Sequence, residues 1–313
     1  YTMKILITGG FGFIGASLVN ALSSEHIIDI LDGFDLEYVG YKYIHRGNKG
    51  LQETNDIEKR HRLLNTKYRY NLIFGKYRNF YKSWSFNKLP DNEYDLIINC
   101  GALSEAILSQ HFPEFTTQSI LDGISNIKKT YPRTHVLHLS SSMVYGTWED
   151  QIDEQYSLGS VDHYGHMKTK AETICDDEDV ILRPIHVYGI GDAKFSIWMN
   201  IERQAAINKP FLIEKAGCIY IDDFVLAVKN IIDKWNPGVY NISYEFTRNS
   251  EDIKKVYPKS FEISEKLGPT GKPRGLLDSS KLINTFDIDF IYKDYMSTIK
   301  DYYKKHEDLC KTE

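Results

Sequence analysis

Apolar and polar positions fall into short β-prone runs separated by helical stripes. Residues 3–8, Met-Lys-Ile-Leu-Ile-Thr, are mostly apolar. Residues 16–22 carry apolar side chains at helical spacing. Residues 26–32 form a second apolar run that ends on the carboxylate of Asp32. The pattern then blurs. Residues 33–94 are tyrosine-rich and mildly basic, and read as an amphipathic helix followed by a third strand around 70–74. The run 95–100 is nearly continuous in apolar residues, as a strand covered on both faces of a parallel sheet should be. A helix at 115–130, a fifth strand at 135–140, a helix at 164–175 and a strand at 180–182 follow. This alternation predicts an α/β fold with a doubly wound parallel sheet. Beyond about residue 185 the rhythm is irregular. It suggests helices at 194–207 and 223–234, an apolar stretch at 211–213, a strand at 239–242 and a last helix near 290–305. Residues 1–184, completed by 214–242, are expected to form the sheet domain. Residues 185–213 and 243–313 are expected to form a smaller mixed α/β C-terminal domain.

Between the first run and the first helical stripe lies ITGGFGFIG, residues 7–15, with Gly9, Gly12 and Gly15 three residues apart. Glycine costs about 0.5–1 kcal/mol in a helix or strand, so something requires a bare backbone there. A tight strand-to-helix crossover alone would need some of it. A diphosphate held by the helix N-terminus would need all of it, over Gly12, Phe13 and Ile14. Asp32, ending the next strand, is placed to accept hydrogen bonds from both ribose hydroxyls of an adenosine and would repel a 2′-phosphate. That predicts NAD rather than NADP, on a Rossmann-type sheet. Gly101 and Ala102 are small residues that let the cofactor pass the end of the fourth strand, and Pro184 ends the sixth. Ligands of such sheets bind outside the carboxyl ends of the strands.

Composition narrows the classes. The chain has 313 residues, 42% hydrophobic, with a formal net charge of −5. No global polycation seeks nucleic acid. The basic, aromatic stretch HRLLNTKYRYNLIFGKYRNFYKSW reads as helix and strand rather than as a nucleic-acid patch. No apolar run reaches the roughly 18 residues of a membrane span, so no membrane partner is expected. Cys100, Cys175, Cys218 and Cys310 form no close metal-type pair, and no metal site is expected, the histidines His163 and His166 included. With no secretion-signal pattern at the start, the expectation is a cytoplasmic protein with reduced thiols.

Two motifs carry candidate chemistry: LSSSMVYG at 139–146 and Tyr164-Gly165-His166-Met167-Lys168. Tyrosine and lysine four apart share one helix face. A free tyrosine titrates near pH 10. A nearby ammonium and a cationic nicotinamide would favour its phenolate, which could take a proton from a sugar hydroxyl while hydride leaves the same carbon. A strand-end serine could orient that oxygen, and Lys168 could also hold the nicotinamide ribose. A surface Tyr–Lys pair worth a few tenths of a kcal/mol is the plainer alternative.

In combination these motifs resemble the extended short-chain dehydrogenase/reductase family, in its nucleotide-sugar epimerase and dehydratase branch. Gly9, Gly12 and Gly15 match the family's glycine motif, Asp32 its acidic residue, NCGA at 99–102 its fourth-strand motif, and Ser141, Tyr164 and Lys168 its catalytic residues. RPIHVYG at 183–189, YIDD at 220–223, YNIS at 240–243 and GKPRGLLDSSKL at 271–282 resemble later landmarks. The resemblance implies a nucleotide-sugar substrate and a homodimer built on helices 115–130 and 163–176. It also implies that Arg274 meets the nucleotide diphosphate, and it sets Ser142, Met143 and His186 at the substrate. The chain departs from the family where Lys76 stands near the position of the aspartate that follows the third strand, and where Gln118 or Ser119 replaces an asparagine.

The branches differ beside the serine. The 4,6-dehydratases resemble one another in an Asp-Glu pair there; this chain has Ser142-Met143, and methionine is no acid or base. The reductase-epimerases similar to GDP-fucose synthase use a cysteine at the Met143 position and a later histidine, yet none lies between Tyr188 and His306. The expected activity is NAD-dependent epimerisation through a transient 4-keto sugar. A 4-keto reductase, a 4,6-dehydratase and a non-catalytic nucleotide-binding subunit are the alternatives.

Overall fold

The computed structural model describes residues 1–33, 52–83, 88–103, 106–148, 150–192, 196–257, 261–266 and 275–311. The chain opens with β1 (Lys4–Thr8), α1 (Phe13–Leu22) and β2 (Ile27–Asp32), then α2 (Gln52–Ile73), β3 (Asn79–Lys82) and β4 (Leu96–Asn99). Helices α3 (Ala106–His111), α4 (Pro113–Thr117) and α5 (Gly123–Thr130) follow, the last two joined by a π-helical turn, Gln118–Asp122. Next come β5 (His135–Leu139), a 3-10 turn at Ser142–Tyr145, α6 (His163–Glu172), β6 (Val180–Pro184) and β7 (His186–Tyr188). The remainder comprises α7 (Ile197–Ala206), β8 (Phe211–Glu214), β9 (Cys218–Tyr220), α8 (Ile221–Lys234), β10 (Gly238–Ile242), α9 (Ser250–Val256), β11 (Ile263–Lys266), α10 (Ser280–Phe286) and α11 (Tyr295–Cys310).

Seven parallel strands form one sheet in the order β10-β6-β5-β4-β1-β2-β3. Strand order reverses at β1, so the crevice between the carboxyl ends of β1 and β4 is the switch point where such sheets bind ligands. Side chains alternate between two cores. Ile5, Ile7, Leu96, Ile98, Leu137 and Leu139 face α1 and α8, whereas Leu6, Ile97 and Val136 face α5 and α6. Helix α8 buries Phe224, Ala227, Val228 and Ile231 on one stripe. Asp223, in its first turn, accepts hydrogen bonds from the amides of Ile291 and Tyr292 and from the Tyr244 hydroxyl. That carboxylate fastens the smaller C-terminal part, with its two-stranded pairs β8–β11 and β7–β9, to the sheet. No helix among the described residues is long and apolar enough to cross a membrane.

The third strand is not where the apolar run placed it. Residues 70–73 are the last turn of α2, with Ile73 fully buried, and the helix ends before Gly75 at φ +72°. Strand β3 lies further on, and Lys76 sits in the turn between them. A short run such as Tyr-Asn-Leu-Ile-Phe fits either element, and the core contact of Ile73 decides for the helix. Several basic residues of this stretch are engaged within the chain. Arg62 donates to Glu58, Arg60 to Glu202, and Arg69 to the carbonyls of Phe11 and Gly191.

Strand β2 contains a fully buried carboxylate, Asp29. It accepts two hydrogen bonds from Arg78 (2.6 and 3.1 Å), one from Asn79 Nδ2 (3.1 Å) and one from the Tyr94 hydroxyl (3.0 Å). These ties fix β3 against β2. Asp29→Ala leaves the buried Tyr94 hydroxyl and one face of Arg78 without an acceptor. It should therefore destabilise the fold by about 2–3 kcal/mol, the scale of hydrogen bonds to charged groups. Urea unfolding checks this: the midpoint should fall at unchanged m-value, and a midpoint equal to wild type would show that the ties contribute nothing.

Candidate active site

The glycine turn between β1 and α1 contains two kinds of glycine. Gly9 lies at φ +67°, its amide donates to the Leu31 carbonyl, and an added Cβ would sit 2.8 Å from Gly101 Cα. A Cβ on Gly15 would lie 2.1 Å from the Gly9 carbonyl oxygen. The packing of β1, β4 and α1 thus requires both bare. Gly12 differs. It is the N-cap of α1 at an ordinary φ of −70°, and an added Cβ would meet only the Gly9 oxygen, at 3.0 Å. No side chain caps the helix start. The backbone of Gly12, Phe13 and Ile14 is therefore open to an anion at the positive end of α1. Asp32 closes one side of the turn, accepting from the Phe11 amide at 2.8 Å. Arg69 from α2 closes the other, donating to Phe11 O at 2.9 Å and Gly191 O at 2.6 Å.

Strand β5 delivers Ser141 to the crevice, where it caps the following 3-10 turn by accepting from the Met143 amide at 3.2 Å. Helix α6 starts at its own cap, Asp162, which accepts from the Gly165 amide at 2.7 Å. A Cβ on Gly165 would be 2.6 Å from the Met143 carbonyl oxygen, so only glycine lets α6 come this close to the serine turn. Tyr164 and Lys168 are both buried there. Lys168 Nζ donates to Leu139 O at 2.5 Å and lies 5.9 Å from the centre of the Tyr164 ring. Burial pushes the Tyr164 phenol up to about 12, against a smaller downward pull from the Ser141 hydroxyl. Burial also pushes the Lys168 ammonium down to about 8. The phenolate expected from a neighbouring ammonium is thus not the resting state of this chain. Desolvation outweighs the Ser141 hydrogen bond and keeps Tyr164 a neutral phenol.

Two polar networks support these residues, and neither was read from the sequence. Arg183 at the end of β6 makes a bidentate pair with Glu172 of α6, at 2.5 and 2.9 Å. Ser140 Oγ donates to the same carboxylate at 2.5 Å. Arg183 also donates to the Tyr145 hydroxyl at 2.8 Å, which in turn donates to Asn241 Oδ1 of β10 at 2.7 Å. The second network spans the switch point. Thr8 Oγ1 donates to Asn99 Oδ1 at 2.8 Å and accepts from the Gly101 amide at 3.0 Å. Asn99 Nδ2 then donates to His138 Nδ1 at 3.0 Å. Burial holds His138 well below the ordinary histidine range, so it is neutral with its proton on Nε2.

The other expected site residues divide. Gly101 is buried and Ala102 half-buried at the end of β4, and Pro184 pairs with Ile242. Ser142 and Met143 lie on the 3-10 turn, and His186 stacks on Tyr188 in β7. Arg274 lies outside the described residues. Ser119 sits in the π-helical turn, where its hydroxyl accepts from the Leu103 amide at 3.2 Å. The apolar stripes of the helices expected to meet a partner, Ile120, Ile124, Ile127, Met167 and Ala171, are already covered inside the chain.

The family model "NAD dependent epimerase/dehydratase family" matches residues 5–243. A search of curated proteins found no match. Among solved structures, the chain is similar to the UDP-glucuronic acid 4-epimerase of Bacillus cereus in complex with NAD. That match has 19% identity and a TM-score of 0.75, covering 98% of this chain and 99% of that one. It is similar to the UDP-Glc/GlcNAc 4-epimerase of Campylobacter jejuni (21%, TM-score 0.72, 97% and 99% covered). It is also similar to the ADP-L-glycero-D-manno-heptose-6-epimerase of Helicobacter pylori (19%, TM-score 0.72, 98% and 96% covered). The uncapped start of α1 and the bare backbone at Gly12 fit the diphosphate of NAD.

Two outcomes follow from this geometry. Gly15→Ala overpacks the turn and should lower stability by about 1–3 kcal/mol, whereas Gly12→Ala should lower the melting temperature much less but weaken NAD binding by at least tenfold. Thermal melts and NAD titration of the two variants separate these effects; equal affinity in Gly12→Ala would show that the turn is bare for packing alone. The second outcome concerns Lys168, whose folded pKa of about 8 lies below its ordinary 10.5. Between those values the unfolded chain binds a proton that the folded chain does not, so this group makes stability rise with pH. Wild type should gain stability relative to Lys168→Met across that window, and a flat difference would show that the ammonium is not desolvated.

Proposed function

The chain belongs to the NAD dependent epimerase/dehydratase family, and we propose that within it the protein is a nucleotide-sugar epimerase working through a transient 4-keto sugar. The observation that carries this reading is the pairing of Ser141 with Tyr164 beside a residue, Met143, that has no proton to give or take. Bound NAD would supply the hydride acceptor and donor for the sugar carbon. Tyr164, once ionised to the phenolate with its own proton released to solvent, would take the proton of the sugar hydroxyl and later give it back. Ser141 holds the same sugar oxygen by a hydrogen bond. Lys168, anchored on Leu139 O, holds the ribose of the cofactor and lowers the cost of the phenolate. Asp32 holds the adenosine ribose, and the backbone of Gly12, Phe13 and Ile14 the diphosphate. Ser142, Met143 and His186 line the nucleotide-sugar.

Elimination of water needs an acid and a base beyond Tyr164, and Met143 supplies neither. A two-base epimerisation is disfavoured for the same reason. Rotation of a ketosugar between the departure and return of hydride needs only Ser141, Tyr164, Lys168 and NAD. The 4-epimerases among the similar structures support this reading, and the 6-epimerase among them makes the sugar position part of the test. A homodimer remains part of the proposal, resting on the family resemblance and on Phe112 and Phe115, which stay exposed at α4.

The assay offers UDP-glucose, UDP-N-acetylglucosamine, UDP-glucuronate and an ADP-heptose to the NAD-loaded protein without added reductant. The expected product is an epimer with no net change in cofactor. Tyr164→Phe should reduce turnover about 10²–10⁴-fold, and Ser141→Ala should reduce it less. A 4-keto-6-deoxy product, or turnover only when a 4-keto sugar and NADH are supplied, would overturn the assignment in favour of a dehydratase or a reductase.

A further inference from the structure

Away from the glycine turn, three helices distant in sequence bring together two imidazoles and a carboxylate. His61 on α2, Glu202 on α7 and His306 on α11 each offer one ligand atom, all within 4.8 Å of one another. His61 Nε2 lies 3.0 Å from a Glu202 oxygen. The two imidazole rings are 5.3 Å apart and nearly parallel, at 5°. His61 is fully buried and His306 nearly so. One turn beyond His306, the Cys310 sulfur sits 3.6 Å from His306 Nε2.

Packing alone accounts poorly for this cluster. Buried imidazole is costly unless its polar atoms are satisfied, yet His61 Nδ1 is buried with no hydrogen-bond partner. Two imidazole nitrogens, one carboxylate and one thiol form the donor set of a tetrahedral zinc-type site, whereas hard cations such as magnesium or calcium select oxygens. Arg60 competes for Glu202 at 2.7 Å, but its side chain is 48% exposed and can turn to water.

From this juxtaposition we infer that His61, Glu202 and His306, with Cys310 as fourth ligand, form a structural site for a divalent transition metal that clamps α11 to α2 and α7. His61 ligates through one ring nitrogen with its ring proton on the other. Cys310 loses its thiol proton to solvent, so uptake releases one proton per metal. All four positions are filled by the protein, which makes the site closed and stabilising rather than catalytic. It is independent of the proposed activity.

The test uses the full chain without an affinity tag, stripped with chelator and titrated with cobalt(II). The expected result is one saturable equivalent, tetrahedral visible bands, a sulfur-to-cobalt charge-transfer band, displacement by zinc and a raised melting temperature. His61→Gln and His306→Gln should each weaken cobalt binding more than about tenfold, beyond the loss typical of an outer-shell partner. Cys310→Ser, at the half-buried last position of α11, should remove only the charge-transfer band, and it decides the matter if the histidine variants do not fold. Failure of wild type to take up one equivalent, or a charge-transfer band that persists in Cys310→Ser, would overturn the assignment.

Discussion

The bidentate pair between Arg183 and Glu172 is the interaction on which the candidate active site depends. Both side chains are nearly excluded from water, so each charge is tolerable only because the other is present. The pair joins the end of β6 to the end of α6. Through Ser140 it reaches β5, and through Tyr145 and Asn241 it reaches β10. Four separate elements therefore agree on one position for the helix that carries Tyr164 and Lys168. Helix dipoles and apolar packing could hold α6 against the sheet, but neither would fix its rotation. A fork of hydrogen bonds does, because a guanidinium and a carboxylate match in one plane.

The switch point is organised by the opposite means, the absence of side chains. Gly9, Gly15 and Gly101 let β1, β4 and the start of α1 approach to contact distance. The Thr8–Asn99–His138 chain then joins the three central strands at their carboxyl ends. Rigid polar ties behind a bare backbone leave an opening whose walls cannot easily move. Such an opening suits a cofactor that must present one ring to a sugar without changing its own grip.

Much of this was legible in the sequence because it is written locally. The order of β1, glycine turn, α1, β2 and Asp32 needs only neighbours to be read, and Ser141, Tyr164 and Lys168 stand in motifs of fixed spacing. The third strand was misplaced because Tyr70 to Phe74 carries no periodicity long enough to separate strand from helix. Its neighbour Gly75 marked the helix end, a signal that could have been used. Glu172, His138 and the partners of Asn99 were missed for a different reason: these pairs span 11, 39 and 91 residues, and no local pattern announces a pair formed by folding. The neutral state of Tyr164 was likewise hidden, since burial is a property of the packed chain. Gly165 sat in plain view inside the tyrosine motif, but its reason, the Met143 carbonyl, became visible only once α6 was placed.

The π-helical turn between α4 and α5 has a consequence for how this chain can vary. A residue in an α-helix advances its side chain by about 100° around the axis. The wide turn at Gln118–Asp122 holds surplus backbone in one place, and surplus there rotates everything after it relative to everything before. It is this offset that lets Ser119 accept from Leu103 while Ile120, Ile124 and Ile127 still face the sheet. The segment behaves like a gear tooth: the surplus residue is taken up in one wide turn, and losing it would tighten the turn around Ser119. Its length and its buried positions, Ser119 and Ile120, are thus constrained together.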